Sequence, residues 1–346
     1  MKLADLPAEL QQRLPAVDEA LERRYRPVYE KFSDVMPVEE WLTRLPLVAA
    51  INDLKAERDA VVMAHNYQTP DIFHGIADAT GDSLALARMA ADVDAGTIVL
   101  CGVHFMAETA RLMAPDKKVI SPDPMAGCSL ASGITAADVR ALKARHPGVP
   151  VVAYVNTTAE VKAEVDVCCT SGNALDVVNA LGAPRVIMVP DGYLARYVAE
   201  RTSVEIIIWE GRCEVHERFT AEEINQFRDE SGTWVMAHPE CSPEVIDASD
   251  YVGSTAGMIR ELKTRRPPRV MLLTECSMAD NVREAVPDTR FVQPCNLCPH
   301  MKRITLEKTL MALWAGSPEV EVAEDLIAPA RRSVQAMFEL TAVRAA

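Results

Sequence analysis

The chain has 346 residues, 49% of them hydrophobic, enough for a large buried core divided over more than one domain. Its formal net charge is −14 and it has no run of five or six basic residues, which argues against a nucleic-acid partner but leaves room for a small anionic substrate in a locally positive pocket. The N-terminus MKLADLPAEL lacks the apolar segment of a signal peptide, and no apolar run reaches the roughly eighteen residues of a membrane span, so a cytoplasmic protein with no membrane contact is expected.

Residues 1–59 read as helices, with ERRYRPVYEKF and PVEEWLTRLPLVAAINDLKAERDA as the periodic stretches. The pattern then changes. AVVMAHN (60–66) is a short apolar run ending in polar residues, as a buried parallel strand does. DATGDS (78–83) opens a helix-period run, LALARMAADV. TIVLC (97–101) reads as a second strand, HFMAETARLM as a helix, and KVISP (118–122) as a third strand that leads to Cys128. The same succession recurs from PVVAYVN (150–156) through DVCCTS (166–171), GNALDVVNAL, RVIMV (185–189), GYLARYVAER and VEIIIWE (204–210) to Cys213. It recurs again from TWVMAHPE (233–240) through DYVGST (250–255), AGMIRELKTR, RVMLL (269–273), SMADNVREAV and RFVQP (290–294) to Cys298. Residues 301–346 read as two helices, RITLEKTLMALWAG and AEDLIAPARRSVQAMFEL, broken at Gly316-Ser317-Pro318.

Strands alternating with helices predict an α/β protein with a parallel sheet in each copy. The expected architecture is three homologous three-layer α/β/α units around a pseudo-threefold axis, with N- and C-terminal helical flanks. Residues 1–130 hold the first repeat with the N-terminal helices, 131–215 the second and 216–300 the third. Residues 301–346 are C-terminal helices packing back on the repeats. Ligands of open α/β sheets bind beyond the carboxyl ends of the strands, so the polar strand-end residues are the candidates for a site.

Nine cysteines, an odd number, argue for thiol chemistry or metal ligation over a disulfide framework. Cys101, Cys241 and Cys276 read as small buried hydrophobes. Cys128, Cys213 and Cys298 stand at intervals of 85 residues, one closing each repeat. Thiolates suit zinc and iron–sulfur clusters, and three of them would leave one position of a cubane open. Spacing alone leaves three readings: an iron–sulfur site, a zinc site and unligated buried thiols. Cys295 competes with Cys298 for the third place, and the register of the repeat favours Cys298. His216 and His300, close behind their cysteines, are candidates either for a fourth ligand or for an acid–base group.

The first strand of each copy ends in residues able to move protons or bind substrate: His65-Asn66-Tyr67, Tyr154-Val155-Asn156 and His238-Pro239-Glu240. Ser83, Ser171 and Thr255 stand where helices start. They read either as N-caps or as anion sites formed with free backbone N–H groups, and Gly81, Gly172 and Gly253 beside them would allow close backbone approach.

MAHNYQ, ETARLMAPDK, AGCSLA, AYVNTTAEVKAEVDVCCTSGNA, WEGRCEVHERF, MAHPECSPEV, GSTAGM and CNLCPHMK together resemble the quinolinate synthase family, the A protein of NAD biosynthesis, from about residue 60 to about residue 305. The resemblance implies a transferase- or dehydratase-type synthase that condenses iminoaspartate with dihydroxyacetone phosphate to quinolinate, releasing phosphate and two waters. It implies a [4Fe-4S] cluster held by Cys128, Cys213 and Cys298, whose open iron acts as a Lewis acid. Carried over by motif, the substrate contacts are His65, Ser83, Tyr154, Val155, Asn156, Ser171, His238, Pro239, Glu240 and Thr255, and the acid–base groups are Tyr67, His216 and Glu240. A monomer or homodimer in transient contact with the enzyme that supplies iminoaspartate is expected. Some relatives carry CxxCxxC where this chain has Val292-Gln293-Pro294-Cys295-Asn296-Leu297-Cys298, so a disulfide within this run could join only Cys295 and Cys298. Two other functions compete: a non-catalytic iron–sulfur redox sensor, and a zinc-dependent lyase completed by His216 or His300.

Overall fold

Each apolar run between polar ends becomes a strand of a parallel sheet, and in the computed structural model, which describes residues 1–228, 232–292 and 294–342, three four-stranded sheets result. Gln293 of the third-repeat strand run and residues 343–346 of the C-terminal segment lie outside the described residues. The first sheet contains β1 (Ala60–His65), β2 (Ala79–Gly81), β3 (Thr97–Cys101) and β4 (Lys118–Ile120) in the order β2-β1-β3-β4. The second contains β5 (Val151–Tyr154), β6 (Val167–Cys169), β7 (Arg185–Val189) and β8 (Glu205–Ile208), ordered β6-β5-β7-β8. The third contains β9 (Thr233–Ala237), β10 (Tyr251–Val252), β11 (Arg269–Leu273) and β12 (Arg290–Val292), ordered β10-β9-β11-β12. In β3, β7 and β11 every residue after the first is buried, which is why these strands read as unbroken apolar runs.

The sequence predicts three strands per copy, and the structure has four. The added strands, β2, β6 and β10, are two or three residues long and fall inside DATGDS, DVCCTS and DYVGST. They are too short to show a period. What holds them is the aspartate that opens each segment. Asp78 donates its N–H to Val62 O at 2.8 Å, and its Oδ2 accepts from Val62 N at 2.8 Å. Asp166 does the same to Val151, at 3.1 and 2.7 Å, and Asp250 to Val235, at 2.9 and 2.9 Å. One aspartate thus satisfies both backbone groups of a single first-strand residue just before the edge strand begins pairing. The threefold recurrence of the sequence is matched by this clasp in all three sheets.

The chain divides into two compact units. Unit 1 comprises 1–126, 276–287 and 297–320 and contains the first sheet. The helix Val38–Glu57 turns Trp41, Leu45, Val48 and Ile51 into a core shared with Val62 of β1, Val99 of β3 and Leu306, Leu310 and Leu313 of the helix Leu306–Ala315. Cys101, at the end of β3, is a free buried thiol 3.7 Å from Thr309 Oγ1, and burial pushes its pKa up to about 12. Cys276 is buried as well, but it is disulfide-bonded and so is not the simple buried hydrophobe expected from the sequence.

Unit 2 comprises 127–275, 288–296 and 321–346 and contains the second and third sheets. Its last helix, Glu324–Ala342, packs on β6 and on the helix Ala159–Glu164, where Ser333 Oγ donates to Lys162 O at 2.8 Å. The two C-terminal helices therefore belong to different units: Leu306–Ala315 to unit 1 and Glu324–Ala342 to unit 2. Cys241 is a free buried thiol behind β9.

Candidate active site

All pairings in the three sheets are parallel, so each sheet presents its carboxyl ends along one side. In unit 2 those ends bring several predicted residues into one buried cluster centred on Glu240. Tyr154, the last residue of β5, donates its hydroxyl to Glu240 Oε1 at 2.5 Å. His216 Nδ1 lies 2.8 Å from the other carboxylate oxygen, Oε2, and 3.2 Å from Cys213 Sγ. His238, one residue beyond β9, stacks on His216 with ring centroids 4.6 Å apart, and its Nε2 pairs with Ser171 Oγ at 3.1 Å. Tyr154, His216, His238 and Glu240 are all buried. Burial alone would raise the Glu240 pKa, but the charges of His216 and His238 and the hydrogen bonds from His216 and Tyr154 hold its carboxyl well below the usual range.

Two of the three evenly spaced cysteines also lie in unit 2. Cys128 precedes the helical turn Ser129–Ser132, and the Ser129 hydroxyl donates to Arg212 O at 3.3 Å while accepting from Glu214 N at 3.1 Å. That hydroxyl ties the Cys128 turn to the residues flanking Cys213. Neither cysteine is disulfide-bonded. Cys213 has its pKa pushed well up by burial, by the charge of Glu240 and by Cys128 itself. A thiol that resists ionisation beside a second thiol is a donor that a cation would help to deprotonate, so the residues present fit a thiolate-held metal centre. Cys213 Sγ, a nitrogen of His216 and an oxygen of Glu240 also lie within 4.8 Å of one another and could hold a metal ion.

In unit 1, β1 ends at His65, whose Nδ1 accepts from Tyr67 N at 3.2 Å; the two rings meet edge to face at 4.6 Å. Cys298 is in this unit and is not disulfide-bonded, so the bond to Cys295 considered from the sequence is not formed. Its carbonyl accepts from Lys302 N at 3.1 Å. His300 lies in the turn that follows.

The helix-start residues need a correction. None of the three is the N-cap. Asp82 caps the helix Ser83–Asp92, accepting from Ala85 N at 2.9 Å, and Ser254 caps Thr255–Arg265, accepting from Gly257 N at 3.2 Å. Ser83 and Thr255 occupy the first helical position instead. Ser171 lies two residues before Asn173, which holds the N-cap position of Ala174–Ala180 without a side-chain bond to the helix, and is engaged with His238. The glycines beside them make room for protein neighbours. A Cβ on Gly253 would stand 2.7 Å from the Tyr251 ring, and one on Gly81 would stand 2.8 Å from Ala85 Cβ.

Of the remaining candidates, Val155 and Pro239 are buried, and Asn156 keeps its Oδ1 buried with no hydrogen-bond partner among the described residues. Lys162, fully buried, donates to Val155 O at 2.8 Å and to Thr157 O, holding the turn that carries Asn156.

Three site residues escape a reading that looks for polar groups only at the ends of first strands. Thr274, one residue past β11, pairs with His216 Nε2 at 2.9 Å. Asp191, two residues past β7, receives Tyr193 N and Leu194 N on Oδ1 at 2.8 and 2.9 Å, while its buried Oδ2 has no partner among the described residues. Burial and the charge of Glu240 push the Asp191 pKa well up, while that of Glu240 is held down, so the two carboxyls are shifted in opposite directions. Lys162 is the third. The rule of polar strand ends, applied to the second strands as well, finds the first two.

Buried imidazoles, a phenol, thiols and carboxyls shifted in opposite directions, gathered at parallel strand ends, are the groups from which enzymes build acid–base sites. Comparison with known proteins agrees. The family model of quinolinate synthetase A protein matches residues 49–339. The chain is 56% identical to the quinolinate synthase of Agrobacterium fabrum (strain C58), over 90% of this chain and 91% of the relative. It is 55% identical to that of Sinorhizobium fredii (strain NBRC 101917 / NGR234), over 93% and 90%, and 58% identical to that of Xylella fastidiosa (strain Temecula1), over 85% and 87%. The chain belongs to the quinolinate synthetase A family and is an enzyme of NAD biosynthesis.

Proposed function

We propose that this enzyme condenses iminoaspartate with dihydroxyacetone phosphate to quinolinate, releasing phosphate and two waters, with a [4Fe-4S] cluster on Cys128, Cys213 and Cys298. The observation that carries the proposal is the chain Tyr154–Glu240–His216–Cys213, in which a carboxylate is bonded on one oxygen by a phenol and on the other by an imidazole that also touches a thiol. Acid–base groups and a metal donor are thereby held in contact.

When bound, an iron with an open coordination position supplies a Lewis acid for a substrate oxygen. The chain's own residues do the rest. Forming the ring requires protons to leave carbon and to reach departing oxygens. Glu240, ionised and buried, is the base, held in place by the Tyr154 hydroxyl on Oε1 and by His216 Nδ1 on Oε2. Thr274 on Nε2 fixes the His216 ring, and Ser171 orients His238. Tyr67 is the acid–base group at the end of β1. Asn156 Oδ1, a buried acceptor with no donor among the described residues, is suited to an N–H or O–H of substrate. His65, Ser83, Val155, Pro239 and Thr255 complete the proposed contacts. The burial of Tyr154, His216, His238 and Glu240 suits an imine that water would hydrolyse. For the same reason a cytoplasmic enzyme close to its iminoaspartate supplier is proposed.

One observation favours a second reading, a zinc-dependent lyase: the donors of Cys213, His216 and Glu240 are close enough for a single ion. Against it, such an ion would leave out Cys128, which stands close enough to Cys213 to act on its thiol. Metal analysis of protein purified without oxygen separates the two. The proposal expects about four irons per chain, as a cubane requires; a colourless protein with stoichiometric zinc would contradict it.

A further inference from the structure

The loop after β1 carries Tyr67, and its backbone is held in an unusual way. Asn66 N donates to Gly81 O at 3.0 Å and Gln68 N to His65 O at 2.9 Å. The three carbonyls of Asn66, Tyr67 and Gln68 all receive side-chain donors. Asn281 Nδ2, on the helix Ser277–Val282, donates to Asn66 O at 3.0 Å and to Gln68 O at 2.7 Å. Lys302 Nζ donates to Tyr67 O at 2.6 Å and to Ser277 Oγ at 2.8 Å. Asn281 is buried and Lys302 is half-buried, so these bonds are shielded from water. A hydrogen bond from a charged donor contributes roughly 1.5–3 kcal/mol, more than a neutral one. Lys302 N also donates to Cys298 O, which puts the clamp on the turn of a proposed metal ligand.

We infer that Lys302 and Asn281 are positioning residues that fix Tyr67 for its proton transfer by clamping three consecutive carbonyls of its loop. The inference rests on the acid–base reading of Tyr67 given above. Consecutive carbonyls bonded from two directions leave the peptide planes on both sides of Tyr67 little freedom to rotate. The phenol is then aimed by the backbone as well as by its contact with His65. A displacement of about 1 Å at such a group can cost about 100-fold in rate.

The test is a double-mutant cycle with Lys302→Met and Tyr67→Phe, read as kcat and KM with iron content and hydrogen exchange measured alongside. Lys302→Met is expected to lower kcat roughly 10- to 100-fold with KM and iron little changed. It should also speed amide exchange in the 65–69 segment, and Lys302→Arg should restore most of kcat. In the Tyr67→Phe background, Lys302→Met should cause almost no further loss. A kcat within twofold of the parent, or losses that multiply in the double variant, would overturn the inference. If Lys302→Met fails to fold or to hold iron, Ser277→Ala, which removes only the anchor of the ammonium, must show a smaller loss with the same non-additivity; an additive loss overturns the inference. A fully active Tyr67→Phe enzyme would instead refute the role of Tyr67 and with it the purpose of the clamp, while unchanged exchange at 65–69 in Lys302→Met would refute the clamp itself.

Discussion

The Tyr154 hydroxyl and Glu240 Oε1 meet at 2.5 Å, joining the carboxyl end of β5 to the residues just beyond β9. A bond this short between a phenol and a carboxylate is charge-assisted and, with both groups buried, is strengthened by the low local dielectric. It also leaves Glu240 with one oxygen on the phenol and one on His216, so both carboxylate oxygens are engaged.

Glu240→Gln keeps the shape of the side chain and removes its charge. The variant should retain its fold and iron and lose roughly 10²- to 10⁴-fold in quinolinate formation, the usual range for a general acid–base group. Steady-state rates beside iron content check this; a variant within threefold of the parent would rule out the acid–base role.

Cysteine substitutions should sort by the repeat. Cys128→Ala, Cys213→Ala and Cys298→Ala are each expected to lose most of the bound iron, whereas Cys295→Ala should keep it. Iron and sulfide assays on protein prepared without oxygen decide the matter, and the opposite behaviour of Cys295 and Cys298 would refute the proposed ligand set.

The aspartate clasps make a stability prediction independent of function. Asp78→Ala, Asp166→Ala and Asp250→Ala each remove the partner of a first-strand N–H, at Val62, Val151 and Val235. Each should cost about 1 kcal/mol, the net value of a typical hydrogen bond. Denaturant titration reads the change, and three variants with unaltered midpoints would contradict the clasp.

Asp123 gives unit 1 a pH dependence. Burial raises its pKa, but hydrogen bonds from Lys308 and Met125 N and the charges of Lys308 and Arg303 outweigh this, and the net shift is downward from 3.8. A carboxyl with a depressed folded pKa adds stability that is present above its unfolded value and is lost as pH falls through the folded one. The stability gap between the parent and Asp123→Asn should therefore be full at pH 7 and close below about pH 4. A gap independent of pH would show that the ion pairs contribute nothing.

Much of this was legible in the sequence because it rests on patterns that physics makes visible. Buried parallel strands must be apolar throughout, so β1, β3, β5, β7, β9 and β11 stand out as runs, and their polar ends point to His65, Tyr154, His238 and Glu240. The edge strands β2, β6 and β10 were hidden because two or three residues carry no period, and the aspartates that hold them were visible only as a recurrence without a purpose. Caps were misplaced by one or two residues: either of two adjacent small polar side chains, such as Ser254 and Thr255, can cap a helix, and only the backbone geometry chooses. Thr274 meets His216 across 58 residues, and Asp191 and Lys162 are set apart by their burial, which no motif in the sequence reports. Lys302 and Asn281 were hidden for the same reason, since their partners lie more than 200 residues away.

The most direct test of the account is turnover. Protein purified without oxygen and loaded with iron and sulfide is mixed with iminoaspartate and dihydroxyacetone phosphate, and quinolinate and inorganic phosphate are measured together. The account predicts quinolinate and phosphate in equal amounts, lost in Glu240→Gln; cluster-loaded protein that forms no quinolinate would contradict it.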